Sequence, residues 1–257
     1  MLDINRNAVI IENHRVSSRT WHLVCRLEVN AKHDPEFANM SAGQFVNISI
    51  PGKYLRRPIS VNRLFSKENE LHLLYNIAGE GTKILSEMKP GDEINLLIGL
   101  GNGFQVPQNI KHPLLLGGGI GAAPLMELSY QLVANGIIPQ VVLGYNTAEE
   151  SWGMEKELRE MGIATYVATV DGTLGTKGFV TDAIKQNNIS YDYFFACGPM
   201  PMLKAVSALP TDGQLSLECR MGCGFGACMC CSLETKNGNK RICLDGPVFG
   251  KNDLIWK

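Results

Sequence analysis

Two rhythms of apolar and polar positions divide the chain. Over the first hundred residues the alternation is short and close to two. It runs through "HLVCRLEV" (22–29), "GQFVNISI" (43–50) ahead of the turn at Pro51-Gly52, then "ISVNRLF" (59–65), "ELHLLYNI" (70–77) and "DEINLLIGL" (92–100). Period two marks strands, and short strands separated by Gly or Pro predict a closed antiparallel β-barrel. From about Lys111 the period lengthens. "HPLLLGGGIGAAPLMELSYQLVANG" reads as an apolar strand, a glycine turn and a helix ending at Gly136. The strands "PQVVLGYN", "ATYVATV" and "YDYFFACGP" then alternate with the helical stretches "EKELREMG", "FVTDAIKQ" and "MPMLKAVSAL". That alternation predicts a parallel-sheet α/β domain.

The turn residues Pro210-Thr211-Asp212-Gly213 suggest a further boundary. Three modules are therefore expected: a barrel over 1–104, an α/β domain over 105–209 and a small cysteine-rich module over 210–257. Charge is balanced, with 24 basic against 25 acidic residues, and leaves no nucleic-acid footprint. The amino terminus lacks the basic-then-apolar plan of a secretion signal, and the longest apolar run, "PLLLGGGIGAAPLMEL", is too short and too glycine-rich to span a membrane. A cytoplasmic, reducing setting is expected, which disfavours structural disulfides.

Six of the eight cysteines fall between Cys219 and Cys243. Cys223, Cys228, Cys231 and Cys243 follow C-x4-C-x2-C-x11-C, the plant-type spacing for a [2Fe–2S] cluster. Four thiolates around two irons and two sulfides make an anionic centre that needs backbone N–H donors. Gly222, Gly224 and Gly226 allow the loop to wrap closely enough to supply them. A zinc knuckle drawn from Cys219/Cys223 and Cys228/Cys231 is the alternative, but the glycine-filled gap and the distant Cys243 fit it poorly. Cys219 and Cys230 are left over and read as small buried thiols.

In "LLLGGGIGAAPL", Gly117, Gly119 and Ala122 form G-x-G-x-x-A between a strand and a helix. In that setting a dinucleotide pyrophosphate approaches a helix N-terminus, although glycine turns after strands also serve packing alone. The next strand ends in "GYNTAEE", which has Glu149 and Glu150 but no Arg or Lys to hold a 2′-phosphate. NAD(H) is favoured over NADP(H). No residue is assigned a catalytic role. His14, His22, His33, His72 and His112 are scattered through the first half and are expected to be surface or structural.

The order of modules resembles the ferredoxin–NADP reductase superfamily, in which an FAD-binding barrel precedes a nicotinamide domain. Its flavin motif, Arg-x-aromatic-Ser/Thr, is matched by Arg57, Pro58, Ile59 and Ser60, with Ile59 in place of the aromatic residue. The resemblance implies that Arg57 and Ser60 meet the flavin pyrophosphate. It also implies that Leu74-Tyr75-Asn76 and Gly81-Thr82 complete the FAD site, and that Cys197-Gly198-Pro199 forms the loop beside the nicotinamide. With the cysteine module added, the whole chain is similar to the electron-transfer subunits of type B dihydroorotate dehydrogenases, notably in "VDGTLGTKGFVTD", "LSLECRMGCGFGAC" and "CLDGPVF". Cys219 departs from the expected pattern but leaves the four ligands intact. That resemblance implies an FMN-containing dihydroorotate dehydrogenase catalytic subunit as partner, two copies of each chain in a heterotetramer, and electron flow from FMN through the cluster and FAD to NAD⁺. The layout is shared by flavin subunits of sulfhydrogenases and of bifurcating ferredoxin–NADP oxidoreductases. The latter tend to carry Asp where this chain has Cys223. A stand-alone NAD(P)H–ferredoxin-type reductase is a further alternative.

Overall fold

The computed structural model describes residues 4–28 and 34–256. Of the residues singled out above, His33 and Val29 lie outside that range. Six strands close the barrel: β1 (Asn5–Arg15), β2 (Thr20–Leu27), β3 (Phe45–Ile48), β4 (Arg57–Phe65), β5 (Glu70–Asn76) and β6 (Glu93–Leu100), in the order β1-β2-β5-β4-β3-β6. A single-turn helix α1 (Pro35–Ala38) precedes β3, and α2 (Glu80–Glu87) follows β5. Alternation sorts side chains as expected: Leu23, Cys25, Leu71, Leu73, Leu96 and Ile98 fill the interior. The long β1 has a broken alternation. Its pairing with β2 shifts register between Ile10 and Glu12, a β-bulge that keeps Ile10 inside and turns Glu12 outward.

The second layer is a seven-stranded sheet. It contains β7 (Pro113–Gly118), β8 (Gln140–Tyr145), β9 (Ala164–Thr169), β10 (Thr176–Lys177), β11 (Tyr193–Cys197), β12 (Asp212–Ser216) and β15 (Val248–Gly250), ordered β10-β9-β8-β7-β11-β12-β15. Every pairing is parallel except β12 with β15. The helices are α3 (Ala123–Ala134), α4 (Met154–Glu160), α5 (Val180–Gln186) and α6 (Met200–Ser207). All six residues of β7 are buried, as a central parallel strand covered on both faces requires. The sheet continues past residue 209: β12 and β15 both come from the carboxy-terminal segment. Between them the chain leaves the sheet to form the cysteine loop and a hairpin, β13 (Ser232–Thr235) with β14 (Gly238–Arg241).

Barrel and sheet share a core. Phe45 and Leu100 of the barrel join Leu114 and Phe194 of the sheet and Cys231, Ile242 and Cys243 of the cysteine segment in one apolar cluster. Polar contacts fix β4 against α3. Asn62 Nδ2 donates to the Ala123 carbonyl at 2.8 Å, and the Leu64 amide donates to the Glu127 carboxylate at 3.1 Å. The Arg63 guanidinium lies 3.2 Å from the centre of the Tyr130 ring and 3.4 Å from Glu127. These contacts hold the barrel's outer face toward the carboxyl ends of the parallel strands, where ligands of open α/β sheets bind.

Candidate functional site

Between the barrel and the strand ends lies a cleft of about 490 Å³. One wall is barrel: Arg57, Pro58, Ile59, Ser60, Leu74, Tyr75, Asn76 and Thr82 all reach it. The other wall holds Gly119 and the Cys197-Gly198-Pro199 loop. The residues singled out from separate motifs thus meet in one place. Gly81 lies behind this wall, where a Cβ would overlap the Arg57 guanidinium. Its missing side chain is what allows Arg57 to lie there, with Nη1 donating to the Leu55 carbonyl at 2.6 Å. The Thr82 hydroxyl accepts from the Ala78 amide at 2.9 Å and caps the turn into α2. Ile59 is 7% exposed and packs mainly into the barrel core, so it offers the cleft an aliphatic edge and no ring.

The glycine turn divides its labour. Gly117 does not line the cleft: a Cβ there would sit 2.7 Å from that of Ala122, so its role is close packing of β7 on the following turn. Gly119 has φ +52 and lines the cleft, and a Cβ on Gly121 would fall 2.6 Å from the Gly198 backbone. Burial pushes the Cys197 thiol up to about 12 against a hydrogen bond with Ser216, so it stays a neutral thiol. At the cleft rim the Glu150 carboxylate accepts from Asn146 Nδ2 at 3.0 Å and pairs with Arg19 at 3.3 Å.

The cysteine loop adjoins this cleft. Glu218, Cys219 and Met221 line it, and the chain then runs directly into Cys223. The four expected ligands are linked two by two, one pair through its sulfurs and the other through an amide-to-sulfur hydrogen bond. Cys231 and Cys243 are 3.2 Å apart, and the Cys223 amide donates to Cys228 Sγ at 3.3 Å. Among the described residues no three cysteine sulfurs lie within 4.8 Å of one another. A single zinc ion with bonds of about 2.3 Å would gather all four closer than that, whereas two irons take the thiolates two by two. The donor set is also prepared for negative charge. The amides of Ala227 and Cys228 point at Cys223 Sγ at 3.2 and 3.4 Å. Burial opposes ionisation of the Cys223 thiol, yet backbone N–H groups of Cys228, Phe225 and Ala227 outweigh it and bring the pKa down to about 7. Cys243 lies deeper, and burial together with the Cys231 thiol pushes it up to about 12. The loop is tied to the rest of the fold at two points. Asn47 of the barrel donates to the Cys223 carbonyl at 3.2 Å, and Arg241 Nη1 donates to the Gly226 carbonyl at 2.8 Å.

The two leftover thiols differ from expectation. Cys230 is exposed rather than buried, and Cys219 is half-buried at the cleft wall. The stretch 218–221 falls within "LSLECRMGCGFGAC", which the resemblance singled out, but no spacing or residue type in it pointed to a place in the cleft wall. Three of the histidines expected to be surface or structural, His14, His22 and His72, lie apart in sequence but converge on the barrel's outer face, where cross-strand register brings them together.

Comparison with known proteins bears on the same features. Residues 218–255 match the model of the iron–sulfur cluster binding domain of dihydroorotate dehydrogenase B. The electron transfer subunit of dihydroorotate dehydrogenase B (NAD(+)) from Geobacillus sp. (strain WCH70) is 47% identical over 83% of this chain and 86% of its own. The one from Bacillus pumilus (strain SAFR-032) is 42% identical over 95% and 96%. Among solved structures, a chain of the NADH-dependent reduced ferredoxin-NADP oxidoreductase, studied for flavin-based electron bifurcation, superposes with a TM-score of 0.86 at 27% identity, covering 97% of this chain and 90% of its own. Phthalate dioxygenase reductase shares the fold, with a TM-score of 0.61 at 20% identity over 78% of this chain and 62% of its own.

Proposed function

Because the chain belongs to the electron transfer subunits of dihydroorotate dehydrogenase B (NAD(+)), we propose that it carries electrons from the FMN of a catalytic partner, through a [2Fe–2S] cluster and FAD, to NAD⁺. In this reading it works in the cytoplasm, in pyrimidine biosynthesis, as two copies joined to two catalytic subunits. Among the described residues no helix is long and apolar enough to cross a membrane. FAD, when bound, supplies the exchange between single electrons and the hydride of a nicotinamide. The residues of this chain bind and orient. Arg57 and Ser60 hold the flavin pyrophosphate, while Leu74, Asn76 and Thr82 line its bed. Gly119 and the Cys197-Gly198 loop leave room for the nicotinamide, and Glu150, which engages the Arg19 guanidinium at the rim, offers a carboxylate toward a ribose. Cys223 and Cys228 hold one iron; Cys231 and Cys243 hold the other.

One observation carries the reading: the segment from Ser216 to Met221 is at once a wall of the flavin-type cleft and the lead into the ligand loop. The residues that would hold the two cofactors therefore lie on either side of one short peptide. On the far side of the loop Phe225 (48% exposed), Met229 (54%) and Leu244 (42%) present an apolar rim, suited to burial against the catalytic subunit. The test is NADH formation from dihydroorotate and NAD⁺. The chain alone should give none, although it should pass electrons from NADH to a dye. Adding the FMN-containing dehydrogenase should restore NADH formation, and Cys228→Ser should remove it again. Turnover by the chain alone would overturn the adaptor reading, and a chain that never couples to the dehydrogenase would favour a stand-alone reductase.

A further inference from the structure

Three of the five histidines, distant in sequence, meet on the barrel surface. His14 on β1 stands directly opposite His22 on β2, and His72 on β5 stands opposite Val24, diagonal to His22. The His14 and His22 ring centroids are 5.5 Å apart, edge to face, and His22 Nε2 lies 3.2 Å from His72 Nδ1. The Glu12 carboxylate is 3.7 Å from His14 Nδ1. Glu12, His14 and His22 each offer one ligand atom within 4.8 Å of the other two, and no other set of His, Cys, Asp or Glu among the described residues does so.

The backbone is shaped for this grouping. Uninterrupted alternation would put Glu12 on the same face as the buried Ile10. The bulge between them turns Glu12 outward beside His14. The side chains of Glu12 and His14 are 56% and 53% exposed, so an ion reaches them from solvent. Two imidazoles and a carboxylate are the donor set of a borderline divalent ion, with bonds of about 2.0–2.2 Å and an open position for water. Ligating histidines are oriented by a partner on the second ring nitrogen. His72 supplies that contact to His22, and Glu70 lies 4.0 Å from the far nitrogen of His72.

We propose that Glu12, His14 and His22 form a binding site for a divalent transition-metal ion of the Zn²⁺ class, with His72 as a positioning residue. The site is separate from the cleft. The next outward pair along β2 and β5, Thr20 with Asn76, already lines the cleft wall, whereas the three ligands do not. By joining β1 to β2, a bound ion should raise the melting temperature of the barrel.

The test is calorimetric titration of Zn²⁺ into the full-length protein with its iron–sulfur cluster loaded, while the visible absorbance of the cluster is followed. One equivalent should bind without bleaching the cluster. His14→Ala and Glu12→Gln, both at exposed positions, should each weaken binding by at least about tenfold. His72→Phe should weaken it roughly tenfold, and His72→Gln, which keeps a hydrogen-bonding atom, should recover most of that loss. Equal affinity in the wild type and His14→Ala, uptake that bleaches the cluster, or no uptake at millimolar Zn²⁺ would each overturn the site. An unchanged affinity in His72→Phe would remove its positioning role.

Discussion

Gly224 offers a sharp test of how the ligand loop is held. Its φ is +80, and a Cβ there would lie 2.5 Å from Asn47 Nδ2, the atom that donates to the Cys223 carbonyl. Gly224→Ala therefore combines two costs. An L-residue in the left-handed region costs about 1–2 kcal/mol. Displacing Asn47 forfeits its hydrogen bond, worth about 1 kcal/mol. The sum, about 2–3 kcal/mol, falls where the ligand loop packs against the barrel, since Gly224 and Asn47 are both buried. It should appear as a roughly 30- to 150-fold faster loss of the cluster, since each 1.4 kcal/mol is about tenfold. The assay is decay of the cluster's visible absorbance under a chelator, with the melting temperature of the fold recorded in parallel. Two controls separate the parts. Asn47→Ala removes only the donor and should account for no more than about a tenfold change. Gly238, at φ +90 with nothing near its Cβ position, imposes the same backbone strain away from the loop, so Gly238→Ala should hardly alter cluster loss. If Gly224→Ala loses its cluster at the wild-type rate, the tie between barrel and loop has no role in retention.

Three further outcomes are expected. Cys228→Ser should abolish the electron paramagnetic resonance signal of the reduced cluster while Cys230→Ser retains it; the reverse pattern would reassign the ligands. Arg57→Ala should weaken FAD retention by about 1.5–3 kcal/mol, read by equilibrium dialysis of the released flavin, and unchanged binding would refute its placement at the pyrophosphate. The hydrogen bond from Arg6, at 2.6 Å, holds the Asp34 carboxyl below the usual carboxylate range. A lowered folded-state pKa means that the stability from Asp34 is present above its unfolded value and is lost as pH falls through the folded one. Denaturant unfolding should therefore show Asp34→Asn least stable relative to wild type near neutral pH, with the gap closing on acidification; a gap that ignores pH would contradict the pairing.

The sequence disclosed what repeats locally. Period two in "ELHLLYNI" and the apolar run of "PLLLGG" marked β5 and β7, because single strands and turns are decided by neighbours in the chain. The ligand spacing was legible for the same reason: a loop that wraps a cluster does so within a few residues. What escaped depended on register or on distant contacts. β1 was hidden because its bulge breaks the alternation after Ile10. β12 and β15 were hidden because a boundary signal, Pro210 to Gly213, precedes strands that complete the sheet rather than leave it. Gly117 matched a phosphate-binding fingerprint, yet its lack of a side chain is used against Ala122. The cleft wall at 218–221 and the histidine trio follow from packing and cross-strand pairing, which no spacing along the chain records.

The cysteine loop leaves the sheet after β12 and returns to it at β15, so both of its ends are woven into the same ladder. It is an excursion from the sheet, and it cannot be cut off like a tail. A chain ended at residue 209 would leave β11 paired with β7 alone, stripping its other side of β12 along the whole register from Tyr193–Asp212 to Cys197–Ser216. The strand left bare would carry Phe194 and Phe195, both fully buried in the intact fold, beside a row of unpaired amides and carbonyls. Such an edge recruits strands from other molecules. A fragment holding only the flavin and nicotinamide sites should therefore aggregate, and a lineage that dispensed with the cluster would first need a new way to close that edge.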